Sequence, residues 1–173
     1  MSLTAKNIAI NGGYYLATLA LVPGALLVLE ARLGVVHRPS LTLRSVAVAT
    51  GLIGATLQAW SIVLFQRVGR GTPSPALPPA VLVIAGPYRW MRNPMNVGEV
   101  LLLLALAAWI ASPLLLAYAA GAWLAFHAFV VRWEEPRLQG RFGEEYARYR
   151  RAVGRWLPRR RRAPSAPAAT RPP

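Results

Sequence analysis

The sequence contains no cysteine. That excludes a disulfide framework, a thiolate nucleophile and a cysteine-ligated zinc. Aspartate is absent too, and the six acids are all glutamates. Lysine occurs once, as Lys6, so nineteen of the twenty basic residues are arginine. Two isolated histidines, His37 and His127, do not make a metal site, and no metal is expected. There is no internal repeat, and no apolar/polar alternation that would suggest a barrel. No aromatic-interleaved basic face points to nucleic acid. What is present is an apolar bulk carrying a large charge. Of 173 residues 55% are hydrophobic before glycine is counted, with a net charge of +14. Soluble domains reach only about 45–50% with glycine included, so the composition speaks against a soluble globule and against a disordered chain. Arginine over lysine, with abundant alanine and proline, points to a bacterial source.

Charge is missing from three long stretches. Asn7 to Leu29 is 23 residues and Ser45 to Gln66 is 22, and Asn93 to Val131 is 39 residues interrupted only by Glu99. A crossing helix needs about 20 mainly apolar residues, so the first two stretches each fit one crossing. The third would be ~58 Å long as one helix, nearly twice the ~30 Å hydrocarbon core, and must fold back. Ser112-Pro113 supplies the turn, because the residue before proline avoids helical angles and proline lacks an N–H. The expectation is an all-α integral membrane bundle of about four transmembrane helices, near 8–30, 43–66, 95–111 and 114–132, with Pro23-Gly24 kinking the first. That first stretch is too long for an ordinary signal-peptide core and lacks a convincing cleavage site. The arginine and lysine bias puts both termini in the cytoplasm, of a bacterial inner membrane on the source reading. Arg70 to Pro79 reads as an extended connector. After the fourth crossing, Leu138, Phe142, Tyr146, Tyr149 and Val153 recur at spacings of 4, 4, 3 and 4, one face of an amphipathic helix. Glu144 and Arg148 can pair on its other face. Residues 1–157 form one domain, and 158–173 is an Arg/Pro/Ala-rich tail expected to be disordered. Arg159 to Arg162 in that tail suit a membrane surface with anionic lipid.

Two polar groups of residues flank the third and fourth crossings. The first is GPYRWMRNPMNVGE, residues 86–99. Asn93 is a favoured helix cap and Pro94 suits the first helical position, which leaves free N–H groups and a positive dipole end at the membrane surface. Arg89 and Arg92 add cationic donors suited to a carboxylate, and Gly98 leaves room for something to approach the backbone. Glu99 lies about one turn inside the apolar run, where an ionisable residue is a functional candidate. The second group is RWEEPRL, residues 132–138. Its adjacent Glu134 and Glu135 end a helix, where the macrodipole disfavours negative charge. A cation must compensate: Arg92, Arg132, Arg137, Arg141 or a ligand. A helical hairpin makes the two groups neighbours, and donors facing carboxylates suit a zwitterion. Tyr146 and Tyr149 fall on the apolar stripe and read as packing.

The two segments, GPYRWMRNPMNVGE and RWEEPRLQGRFGEEYARYRRAVGRWLP, together resemble the isoprenylcysteine carboxyl methyltransferase and phospholipid methyltransferase families of membrane enzymes. In those families a G-x-Y-x-x-x-R-H-P-x-Y-x-G segment opens one helix and an E-E pair closes the next. L-x-x-x-F-G-x-x-Y-x-x-Y and V-x-x-x-x-P then follow. The match covers about residues 81–158, and residues 81–157 are taken as the cofactor-binding half. The resemblance implies a methyltransferase using S-adenosylmethionine. Tyr88, Arg92, Asn93, Pro94, Asn96 and Gly98 stand at its cofactor-site positions, and Glu134 and Glu135 form an acidic wall. Arg137 or Arg141 would orient an anionic, lipid-like or isoprenyl-like acceptor. The chain departs from the pattern where Asn93 replaces the usual His and Asn96 the usual Tyr. Asn93 cannot act as a base near neutral pH, and Asn96 gives up an aromatic wall. The acceptor group (carboxylate, amine or thiol) is therefore not fixed by the sequence. Two rival readings are an NADPH-dependent membrane reductase on a similar helical core and a non-enzymatic scaffold with a basic lipid-binding tail.

Overall fold

Among the described residues each charge-free stretch folds as helix, the third as a hairpin of two. The computed structural model describes residues 12–69 and 80–158; the expected connector at 70–79, the tail beyond 158 and the start of the first helix at 8–11 lie outside them. Helix α1 is Gly12–Arg32 and α2 is Leu41–Arg67, opened by Ser40, whose hydroxyl accepts from the Leu43 N–H at 3.1 Å. Helix α3 is Pro94–Ile110 and α4 is Pro113–Phe129. A π-helical turn, Val130–Glu134, carries α4 without a break into α5, Glu135–Ala152. Among the described residues α1, α2 and the continuous helix from Pro113 are long and apolar enough to cross a bilayer, and α3 is a shorter apolar helix. The chain is thus an all-α membrane bundle.

Two prolines shape the long helices in one way. Pro23 and Pro136 have no N–H for the carbonyl one turn back. In each case a π-helical turn precedes the proline, at Ala17–Leu21 and at Val130–Glu134, and widens the ladder locally. The disturbance expected at Pro23-Gly24 takes this form, with the Val22 N–H donating to the Ala17 carbonyl. The amphipathic segment expected after the fourth crossing is the direct continuation of α4. It breaks inside α5 at Gly143, whose φ of 52° is open to glycine at little cost.

The tightest packing is between α2 and α3. A Cβ on Gly54 would stand 2.8 Å from the Gly98 carbonyl, and one on Gly98 2.9 Å from the Gly54 carbonyl. The two glycines let the backbones touch, the usual way helices approach in lipid. The space at Gly98 is filled by α2. The hairpin turn falls where expected: Ala111 is left-handed (φ 61°), and the Ser112 hydroxyl accepts from the Leu115 N–H at 3.0 Å. Glu30, at the end of α1, completes this turn. It is fully buried, accepts from the Ser112 hydroxyl at 2.7 Å and the Leu114 N–H at 2.8 Å, and lies 3.2 Å from His37 Nε2.

Candidate functional site

At the other end of the hairpin, the start of α3 meets the start of α5. The stripe read from the sequence packs α5 against the segment that leads into α3: Tyr146, Tyr149 and Val153 form a buried cluster with Leu82, and Leu138 and Phe142 pack against it. The Tyr149 hydroxyl donates to the Tyr88 carbonyl at 2.7 Å. On α5's outer face Glu144 pairs with Arg151 and not with Arg148, because the long guanidinium reaches across two turns.

Between these walls lies a cavity of about 380 Å³, within the usual range for small-molecule sites. Tyr88, Arg92, Asn93, Glu134, Glu135, Arg137 and Arg141 all line it, with Phe65, Phe129, Trp133, Tyr146 and Tyr149 among the apolar walls. Pro94, Asn96, Gly98 and Glu99 are not in its lining. Pro94 is buried in the first turn of α3, Asn96 is half-buried two residues on, and Gly98 faces α2. Glu99 is buried and accepts from the Tyr14 hydroxyl at 2.9 Å, tying α1 to α3. Arg137 lies over the Trp133 ring at 5.0 Å and Arg141 over the Phe142 ring at 5.4 Å. Both cations thus rest on aromatic faces.

The two acids behave differently. The apolar run of α4 ends at Val131, so both stand beyond the membrane-spanning segment. Glu135 is held at 3.1 Å by Arg92 and at 2.6 and 3.0 Å by Arg155. Burial pushes its carboxyl up, but the Arg155 hydrogen bonds and the charges of Arg92, Arg155 and Arg150 outweigh this and hold it below the usual range. Glu134 makes no ion pair among the described residues. Burial, and then the charge of Glu135, push its carboxyl up. Arg92 also donates to the Tyr146 hydroxyl at 3.3 Å, while its Nε is buried without a partner. Asn93 stands at the start of α3, yet its side chain makes no cap bond and donates instead to the Arg155 carbonyl at 3.1 Å. Its backbone carbonyl accepts the first helical bond, from Val97.

Sequence reasoning missed Arg155, Glu30 and the polar part of Tyr146 and Tyr149. The only signal for Arg155 is its place inside the V-x-x-x-x-P ending, between Val153 and Pro158.

An all-α bundle of apolar helices, with a cavity lined by arginine, glutamate and aromatic side chains, defines an integral membrane protein with a candidate ligand site. The sequence model of the phospholipid methyltransferase family matches residues 43–145, and the chain belongs to that family, which makes it a membrane methyltransferase. No curated protein matches the chain.

Proposed function

We propose that this chain transfers a methyl group from S-adenosylmethionine to a lipid-like or isoprenyl-like acceptor. The observation that carries the reading is a cavity that brings Arg92 and Glu134 together between aromatic walls. The residues present fit the cofactor. Glu134 is a cavity carboxylate with no ion pair among the described residues, and Arg92 keeps an unpartnered buried donor. Glu134 would hold a cationic or hydroxyl group, and Arg92 would hold a carboxylate. Tyr88, Tyr146 and Phe142 line the cavity and suit a flat ring. When bound, the cofactor supplies a methyl group already activated on a sulfonium. The chain's part is approximation, alignment and exclusion of water.

Arg137 and Arg141, at the cavity's edge, suit an anionic acceptor that arrives sideways from the bilayer. Glu99 enters this reading as a membrane-embedded acid that fixes α1, not as a group lining the cavity. Both termini would face the cytoplasm, where the cofactor is. Asn93 offers no base, so the chain itself favours acceptors that are already nucleophilic, a carboxylate or thiolate; an amine must reach the site deprotonated.

The test incubates the purified protein and host lipid extract with methyl-labelled S-adenosylmethionine and identifies the labelled product by mass. A labelled lipid supports the reading. Absence of label, with thermal stabilisation by NADPH and none by S-adenosylmethionine, replaces it with a reductase.

A further inference from the structure

Arg155 sits at the centre of the site's bonding without touching the cavity. After α5 the chain turns extended at Val153 (φ −119°, ψ 132°) and runs back across the start of α3. The Gly154 carbonyl accepts from the Arg92 N–H at 2.9 Å, and Met91 bridges to Gly154. The Arg155 carbonyl accepts from Asn93. On the far side the Trp156 indole donates to His127 Nδ1 at 3.2 Å, and its ring lies 4.5 Å from that of Trp123. The segment is thus fastened to α4 and to the start of α3. Between the two fastenings the Arg155 guanidinium meets both oxygens of Glu135.

We propose that Arg155 is a positioning residue of the cofactor site, gripping Glu135 so that Arg92 is held in place and Glu134 is left as the carboxylate for a cationic ligand group. The proposal rests on the cofactor reading above. Charge arithmetic supports it. Glu134 and Glu135 are balanced by Arg92 and Arg155. Arg137 and Arg141 also line the cavity but lie over the Trp133 and Phe142 rings, so without Arg155 the one arginine still ion-paired there would face two adjacent carboxylates, and Arg92 would be drawn between them. The groups facing Glu135 are Arg92 from before α3, Tyr146 and Arg150 from α5, its neighbour Glu134, and Arg155 from the returning segment. Of the cations, only Arg155 engages both oxygens, a planar fork that lysine does not reproduce.

The test titrates the full chain in detergent with S-adenosylhomocysteine by calorimetry across pH, for the wild type, Arg155→Met and Arg155→Lys. Arg155→Met is expected to weaken binding by roughly 10- to 100-fold, the worth of charge-assisted hydrogen bonds. The lower part of the acid limb of the binding profile, below the titration of Glu134, should move to higher pH, because Glu135 loses the bonds that hold its carboxyl down. Arg155→Lys should fall between, keeping the charge without the fork. Wild-type affinity and an unmoved acid limb in Arg155→Met overturn the assignment. If that variant does not fold, the same result in Arg155→Lys overturns it. A wild-type chain that binds no S-adenosylhomocysteine overturns the cofactor reading and this proposal with it. Binding by the wild type with both variants unchanged overturns this proposal alone.

Discussion

The hairpin of α3 and α4 has a buried glutamate at each end, and the two ends are built to opposite purposes. At the turn, Glu30 has a hydroxyl, a backbone N–H and an imidazole around it and no exposed surface. Its oxygens cap α4, and nothing is left over to meet a ligand. At the open end, Glu135 is equally well held, by two arginines, but its neighbour Glu134 is not, and Arg92 keeps an unpartnered donor beside a cavity. Burying a polar group without a partner is costly. A fold that satisfies one end fully and leaves the other unfinished marks the unfinished end as the place for a guest.

Glu135→Gln and Glu30→Gln break the comparison most sharply. Removing the Glu135 charge leaves Arg92 and Arg155 facing each other without a counter-ion, and breaking a buried pair costs about 3–5 kcal/mol. S-adenosylhomocysteine binding should fall by more than about 100-fold, since Arg92 loses its anchor. Glu30→Gln should lower the melting temperature and leave the calorimetric affinity unchanged. Equal loss of binding in both variants would erase the distinction between the ends.

Glu134 sharpens the comparison from the ligand side. Glu134→Gln should weaken binding by roughly 10- to 100-fold with no loss of thermal stability, because it relieves a like-charge pair. The same residue sets a pH dependence. Its carboxyl is raised above the ordinary 4.5, so the charged form is disfavoured in the fold. As pH falls through that raised value Glu134 takes up a proton, stability rises and affinity for a cationic group declines. Glu135 has the opposite sign. Its lowered carboxyl contributes stability that is fully present above the ordinary range and is lost only at lower pH, through the depressed value. Affinity should therefore decline on acidification before the fold weakens. Titration by calorimetry and by thermal melts against pH separates the two curves, and coincident curves would deny the two acids separate duties.

The frame was legible in the sequence because charge is excluded from a bilayer: the gaps in charge mark the crossings, and Ser112-Pro113 marks the turn. The facing of Arg92 and Glu134 was legible too, since Ser112-Pro113 lies near the middle of the stretch between them and a hairpin turning there brings its open ends together. The closing contacts were not legible. Arg155 meets Glu135 across 20 residues and Glu30 meets Ser112 across 82, with no period to announce either. The role of Gly98 was ambiguous for a related reason. A small residue in an apolar helix admits a ligand or another backbone alike, and only the position of Gly54 decides. Asn93 likewise has the identity and position of a cap, but a carbonyl from the returning segment competes for its amide.

Two smaller substitutions test those closing contacts. Gly98→Ala puts a Cβ 2.9 Å from the Gly54 carbonyl, a backbone atom that cannot rotate away. It should cost about 1–3 kcal/mol through forced separation of α2 and α3, read as a lower melting temperature. Asn93→Ala is the mildest. It deletes one hydrogen bond to the Arg155 carbonyl, worth about 0.5–1.5 kcal/mol, while Arg92 and Trp156 still hold the returning segment. If Asn93 served as the helix cap its loss would be felt in α3. Because it fastens residues 154–156 instead, hydrogen exchange should quicken at the Arg92 N–H, which donates to Gly154, and stay slow at the Val97 N–H. Faster exchange at Val97 with Arg92 unchanged would return Asn93 to the role of a cap and detach it from the site.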